Sequence, residues 1–397
     1  MKANQMTTIG SIAEIYDGPH ATPKKLEQGP YFLSISSLDK GRLELKKSSF
    51  ISENDFKNWT KRITPQEGDL LFSYETRLGE AALMPAGVRA CLGRRMGLLR
   101  LNRAKVTPEY ALYAYLSPAF QQTIKANTIT GATVDRIALN DLPNFPIRIP
   151  PLSEQEYVAK LLSGIDKKIE LNNRINVELE AMAKTLYDYW FVQFEFPNAN
   201  GKPYKTSGGK MVYNPTLKRN IPEGWSDGKI EDVIGKVPQA TKVPAKEFKE
   251  HGKFPVIDQS QAYICGFTDD ETAKIKPVSA HVIFGDHTRA VKLVNFDYAR
   301  GADGTQVLVA KSDEVPSYLL YQIVSGIDLS SYGYARHYKF LKESKCVIPR
   351  SDISQIYQVT VVSWYEKIRG NIFQNYELQR LRDWLLPMLM NGQVTVK

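Results

Sequence analysis

The sequence predicts an α+β chain in which two mixed α/β blocks are separated by a pair of long antiparallel coiled-coil helices, with an internal pseudo-two-fold duplication. Three observations carry that prediction. Apolar residues near the middle of the chain recur with 3–4 alternation over about four heptads. The same pattern returns 199 residues later. The stretches outside the helices break into short apolar runs punctuated by Gly, Pro and Asn, which reads as strand and turn.

Residues 1–150 form the first block, with strand-like runs "YFLSIS", "DLLFSY" and "MGLLRL" and a helical "PEYALYAYLSPAFQQTI". Pro150-Pro151 cannot continue a helix backwards, and Ser153 with Glu156 has the spacing of a capping box, so a helix is expected over 151–195. Its seam runs Val158, Leu162, Ile165, Ile169, Asn172, Asn176, Leu179, Ala183, Leu186 and Trp190. In residues 196–350, Phe196 is followed by "PNANGKPYKTSGGKMVYNPTLKRNIPEG", a stretch with little to bury that reads as a linker or surface excursion. The second mixed block then runs from about Trp225 to Arg350. The second helix, 351–397, has the seam Tyr357, Val361, Trp364, Ile368, Asn371, Asn375, Leu378, Arg382, Leu385 and Leu389. It opens "RSDISQIY", without the proline and capping glutamate of the first helix.

A shift of 199 superposes Lys168/Lys367, Ile169/Ile368, Asn172/Asn371, Asn176/Asn375, Glu178/Glu377, Leu179/Leu378 and Leu186/Leu385. Weaker echoes pair "GSIAEI" with "GKIEDV" and "LLFSYETR" with "VIFGDHTR". So long a period excludes a solenoid and means one block plus one helix, duplicated. The seam asparagines Asn172, Asn176, Asn371 and Asn375 are register devices, because a polar seam residue costs stability unless it meets another. Antiparallel packing sets Asn172 and Asn176 beside Asn375 and Asn371. Parallel packing separates the pairs little less well, but a block must intervene before the second helix starts, which favours antiparallel. A heptad slip would instead leave the asparagines in solvent.

Composition narrows the function. Hydrophobic residues make up 43% and charged residues 24%, as in soluble globular proteins. No apolar run nears the roughly 18 residues of a membrane span, and the N-terminus has no apolar core of a secretory signal. Cys91, Cys265 and Cys346 lie far apart, which suits buried, inert thiols in a reducing compartment. A cytoplasmic protein is expected. The net charge of +9 is uneven: +6 over 1–150, −3 over 151–195, +5 over 196–350 and +1 over 351–397. A surplus on both blocks and not on the first helix suits either a solvated face or a polyanion partner.

Catalytic motifs are missing. "TSGGKMVY" lacks the spacing and hydroxyl of a phosphate-binding loop. No Asn/Asp-Pro-Pro-Tyr/Phe tetrapeptide of an amino-methyltransferase occurs, and the five histidines lack zinc spacing. Asp286-His287 has no nucleophile motif to serve. The loops do carry residues suited to base edges and phosphates. In the first block these are Tyr74, Thr76 and Arg77 of "SYETR", Arg94 and Arg95 of "LGRRMG", and Thr133 and Arg136 of "TGATVDR". In the second they are Gln259 of "DQSQ", His287, Thr288 and Arg289 of "FGDHTR", Arg300 and Asp303 of "ARGADGTQ", and Tyr334, Arg336 and His337 of "GYARHYK". For any one of them a phosphate contact or an internal salt bridge is a better explanation than base reading. The recurrence of Thr-Arg after a strand in both blocks is harder to assign to chance.

Over essentially its full length the chain resembles the specificity (S) subunits of type I DNA restriction–modification enzymes. The resemblance rests on "IALNDLPNFPIRIPPLSEQ", on "LYDYWFVQFEFPNANGKPYKTSGGKMVYN" with "IPEGW", and on "VIFGDHTRAVKLVNFD…GADGTQVLVA" with "GYARHYKFL". It implies two target-recognition domains alternating with two helices, each domain reading half of a split sequence in double-stranded DNA. The helices would set the unread spacer and dock two methyltransferase (M) subunits. The resemblance implies no cofactor on this chain: S-adenosylmethionine would sit on the M subunits, and ATP and Mg on restriction (R) subunits in the full complex. The departing start of the second helix puts symmetric docking of the M subunits in question. A type IIB-like system with fused methylase and nuclease remains the alternative, and a self-contained nuclease or methyltransferase, or a coiled-coil adaptor, are the readings from other classes.

Overall fold

A computed structural model describes residues 5–131, 134–237, 239–333 and 336–394. The chain divides into two compact units, Met1–Glu170 with Asn375–Lys397, and Leu171–Gln374. Each unit therefore owns one end of each long helix.

In the first unit, Met6–Thr8 pairs antiparallel with Pro146–Arg148, directly ahead of the long helix. A four-stranded antiparallel sheet runs in the order Ala13–Asp17, Met96–Leu101, Leu70–Ser73, Ala81–Leu83. Leu70–Ser73 is buried at every position, so its sequence opens with a continuous apolar run, Leu70–Phe72, and not an alternation. A second sheet sets Leu26–Leu33 parallel to Ala90–Leu92 and antiparallel to Ser49–Phe50. Helices Pro108–Leu116 and Pro118–Ala126 each begin on proline, whose missing N–H costs nothing there. Their aromatic faces, Tyr110, Tyr115 and Phe120, fill the core with Phe72.

The first long helix spans Leu152–Tyr187, with a π-helical continuation over Asp188–Val192 that buries Trp190 and Phe191. It begins one residue before Ser153, and the expected capping box gives way to a different device. Gln155, fully buried, donates to the carbonyls of Pro150 (2.7 Å) and Lys105 (2.9 Å) and accepts from the Thr107 amide (2.9 Å). That one side chain ties the helix start to the start of Pro108–Leu116. In this unit Val158, Ala159 and Leu162 pack with Leu389 and Met390, while Asp166 takes Arg382 at 2.9 Å and the Tyr113 hydroxyl at 2.6 Å. Early residues of the first helix meet late residues of the second, which is antiparallel packing.

The second unit repeats the plan. Ser226–Lys229 pairs antiparallel with Lys345–Ile348, directly ahead of the second long helix, Ser351–Met390. His281–Gly285 sits between Val291–Val294 and Thr305–Leu308, as Leu70–Ser73 sits between Ala81–Leu83 and Met96–Leu101. Gly266–Thr268, Phe254–Ile257, Tyr298–Arg300 and Lys274–Ile275 form a mixed sheet. The segment read as a linker or surface excursion is folded, as an excursion and not a loose linker. It holds a hairpin, Met211–Asn214 with Arg219–Pro222, and Phe196 stacks with Tyr204 and Trp225 at centroid distances of 4.6 and 5.0 Å. Composition hid this because the segment holds only two aromatic residues, Tyr204 and Tyr213, and the rings that complete the stack, Phe196 and Trp225, flank it.

Within this unit the Tyr357 hydroxyl donates to the Ala183 carbonyl (3.1 Å), and Asn371 donates to Asn176 (2.8 Å). Asn172 donates to Gln374 (2.8 Å), the neighbour of Asn375. The helices are again antiparallel. Asn172, Asn371 and Asn375 are buried, so the seam asparagines face a partner helix and not solvent.

Candidate nucleic-acid interface

In the first unit the turn after Leu70–Ser73 is strained. Thr76 has φ +70° and Arg95, in the turn before Met96–Leu101, has φ +72°, both in the left-handed region that non-glycine residues enter at a cost of about 1–2 kcal/mol. Backbone bonds hold them there: Thr76 to Asp135 (3.0 Å), Tyr74 to Arg95 (3.3 Å) and Ile137 to Tyr74 (2.9 Å). Three segments far apart in sequence, 74–79, 93–96 and 134–137, thus become one surface.

Arg94, Arg136 and Thr76 are exposed on that surface. Arg95 is half-buried, ion-paired to Glu75 at 3.0 Å and donating to the Thr76 hydroxyl. Arg77 turns inward, donating to the Ile35 carbonyl and to Glu80, both at 3.0 Å. Its expected reading role gives way to an internal salt bridge. Tyr74 is buried against Phe72, with burial pushing its phenol up to about 12, so it presents nothing to a ligand. Thr133 lies outside the described residues.

In the second unit Asp286 is the organiser. It is buried, donates its amide to Gly304 (2.7 Å), and accepts the Tyr338 amide on its carboxylate (2.8 Å) and the His337 amide on its carbonyl (3.0 Å). Sequence reading considered it only as an acid–base partner of His287; its place directly after the apolar run Val282–Phe284 and Gly285 was the available signal. Gln259 braces the next loop, its side chain accepting the His287 amide (3.2 Å) and its carbonyl accepting the Thr288 hydroxyl. Gly304, at φ +60°, allows this, since a Cβ there would meet Gln259 Nε2 at 2.5 Å.

Four loops, 258–261, 286–290, 301–304 and 336–338, are thereby joined. His287, Thr288, Arg289, Asp303 and Arg336 are exposed on them, with Arg289 at φ +60°. Arg300 is drawn inward to the Thr305 carbonyl (2.9 Å), and burial lowers its guanidinium pKa. His337 is a correction like Tyr74: it is 2% exposed and its ring Nδ1 sits 2.9 Å from the Asp286 carbonyl, a structural post and not a reader. Tyr334 lies outside the described residues. Among the cysteines, burial pushes Cys91 and Cys346 up to about 12, while Cys265 is raised by burial and by its hydrogen bond to Asp258.

Among the described residues no helix is long and apolar enough to cross a membrane. Residues 1–181 match the family model of the type I restriction modification DNA specificity domain. The chain is 25% identical over its whole length to the type I restriction enzyme MjaIX specificity subunit of Methanocaldococcus jannaschii, covering 91% of that protein. It is 23% identical to the HindI specificity subunit of Haemophilus influenzae, over 83% of this chain and 87% of that one. In fold it is similar to the type I restriction–modification S subunit from M. genitalium, with TM-score 0.57, 15% identity and 98% of each chain covered. Residues 1–181 thus match the type I restriction modification DNA specificity domain, and the chain, two duplicated α/β units with antiparallel helices, is similar over its full length to the specificity subunits of type I restriction–modification systems.

Proposed function

We propose that the chain reads a bipartite target in double-stranded DNA, one half with each unit, and that its helix pair sets the unread spacer and docks two M subunits. One observation carries this reading: each unit gathers loops from distant parts of its sequence onto one surface and leaves arginines exposed there. Arg94 and Arg136 stand out on the first unit, and Arg289 and Arg336, with His287, on the second. Arginine grips guanine O6 and N7 bidentately, and backbone bonds that fix the loops hold such side chains in register with base edges. The +6 and +5 charge of the two blocks supplies attraction to phosphates.

Exposed apolar residues on the helices support docking of a protein partner. Tyr157 and Val177 on the first helix, and Val359 and Trp384 on the second, are each more than half exposed. Methylation chemistry with S-adenosylmethionine belongs on the M subunits, and ATP-driven cleavage with Mg on R subunits that join the full complex. The test is binding of cognate DNA by the chain assembled with M subunits. Arg289→Ala and Arg94→Ala each cost about 1–3 kcal/mol and relax one position if the side chain reads a base, whereas a phosphate contact weakens all sequences alike. Arg77→Ala perturbs stability more than sequence choice. Unchanged binding in both Arg94→Ala and Arg289→Ala overturns the loops as readers.

A further inference from the structure

Lys292 carries a buried ammonium in the second unit. It lies on Val291–Val294 opposite Ile283 and is 6% exposed. Its Nζ donates to the Asp258 carbonyl at 2.8 Å and to the Ala262 carbonyl, gripping both ends of one loop. The Asp258 carboxylate is 3.9 Å away and also accepts the Ser260 amide (2.8 Å) and the Cys265 thiol (2.6 Å). Burial lowers the Lys292 pKa, opposed by Cys265 and Asp258. Burial would likewise raise Asp258, yet the hydrogen bonds from Cys265 and Ser260 and the ammonium hold it below the usual carboxylate range. A charge this enclosed is retained only where its partners are built around it.

The gripped loop carries Gln259, and Gln259 in turn holds the His287 amide and the Thr288 hydroxyl. A chain of bonds therefore runs from Lys292 to the exposed tip bearing His287 and Arg289. The first unit places an ionisable clamp at the same point. When "LLFSYETR" is laid on "VIFGDHTR", Lys292 falls on Glu80, whose carboxylate accepts the Lys40 amide (2.8 Å) and Arg77 (3.0 Å). The two clamps have opposite charge, and each fixes a neighbouring loop beside the Thr-Arg turn.

We propose that Lys292 is a specificity-positioning residue, which fixes the reading loop of the second unit through the 258–262 loop and Gln259. This rests on the reading that the second unit recognises one DNA half-site. The experiment takes the full chain as wild type, Lys292→Met and Gln259→Ala, with two readouts. Hydrogen exchange on each chain alone tests the clamp: in Lys292→Met, amides of 258–262 and of His287 exchange faster, with the first unit unchanged. Methylation mapping with M subunits on a randomised DNA library tests specificity. Both variants lose discrimination by roughly tenfold or more at shared positions of one half-site, the scale of one lost base contact, and leave the other half intact. Unchanged exchange at His287, an undiminished motif in either folded variant, or equal loss across both half-sites overturns the proposal. Should Lys292→Met fail to fold, Gln259→Ala, at a half-buried loop position, decides alone by the same criteria. A wild-type assembly that methylates no specific sequence refutes the half-site reading instead, while hydrogen exchange still reports on the clamp.

Discussion

His281 shows how one buried side chain sets a property of the whole second unit. It is 4% exposed, its Nδ1 lies 3.1 Å from the Tyr298 hydroxyl, and burial lowers its pKa from 6.5 to about 4. The unfolded chain takes up that proton near pH 6.5 and the folded chain only near 4, so its contribution to stability is complete above 6.5 and is lost as pH falls toward 4. At about 1.4 kcal/mol for each pH unit across that window, the loss reaches about 3.5 kcal/mol. Denaturant melts at stepped pH show this acid limb, and His281→Phe flattens it; an unchanged limb contradicts the assignment. Residue types were legible in the sequence, but their directions were not. Arg77 and Arg289 occupy matching positions in matching octapeptides, yet Glu80 stands after the first and draws it inward, while Lys292 stands at that place in the second and leaves Arg289 outside. Tyr74 and His337 read as surface chemistry and are buried, because the strand or the loop beside each closes over it.

At the scale of the element, the long helices were the most legible feature. Every seam position from Val158 to Trp190 and from Tyr357 to Leu389 is buried or half-buried. The helix start was less legible, since Gln155 acts through residues some 50 positions earlier and leaves no local pattern. The Asn176–Asn371 bond makes a sharp prediction. Asn371→Leu leaves a polar group without its partner and costs about 1–3 kcal/mol of stability. Leu at both positions recovers that stability or exceeds it, and loosens register. Thermal melts of the single and double variants check this, and a double variant as unstable as the single contradicts it. One heptad added at matching places in both helices adds about 10 Å of helix, and the tolerated spacer grows by about 3 base pairs with both half-sites unchanged.

Over the whole molecule, the internal repeat visible as a 199-residue shift between the helices reappears as topology. Each unit pairs the first strand of its mixed block with the strand ahead of a long helix, Met6–Thr8 in one and Ser226–Lys229 in the other, and each sets its Thr-Arg turn on the middle strand of an antiparallel trio. The repeat within the globular parts was faint because loops diverge where the strands beneath them do not. The central claim is that the two units read independently. Base edges are read by side chains reaching a few base pairs each, so exchanging one unit's loops leaves the other's contacts in place. The most direct measurement is methylation mapping of a hybrid in which residues 1–150 come from a relative of different specificity, assembled with the same M subunits. The expected result is a new sequence in one half of the target, with the other half and the spacer unchanged. A change in both halves contradicts it.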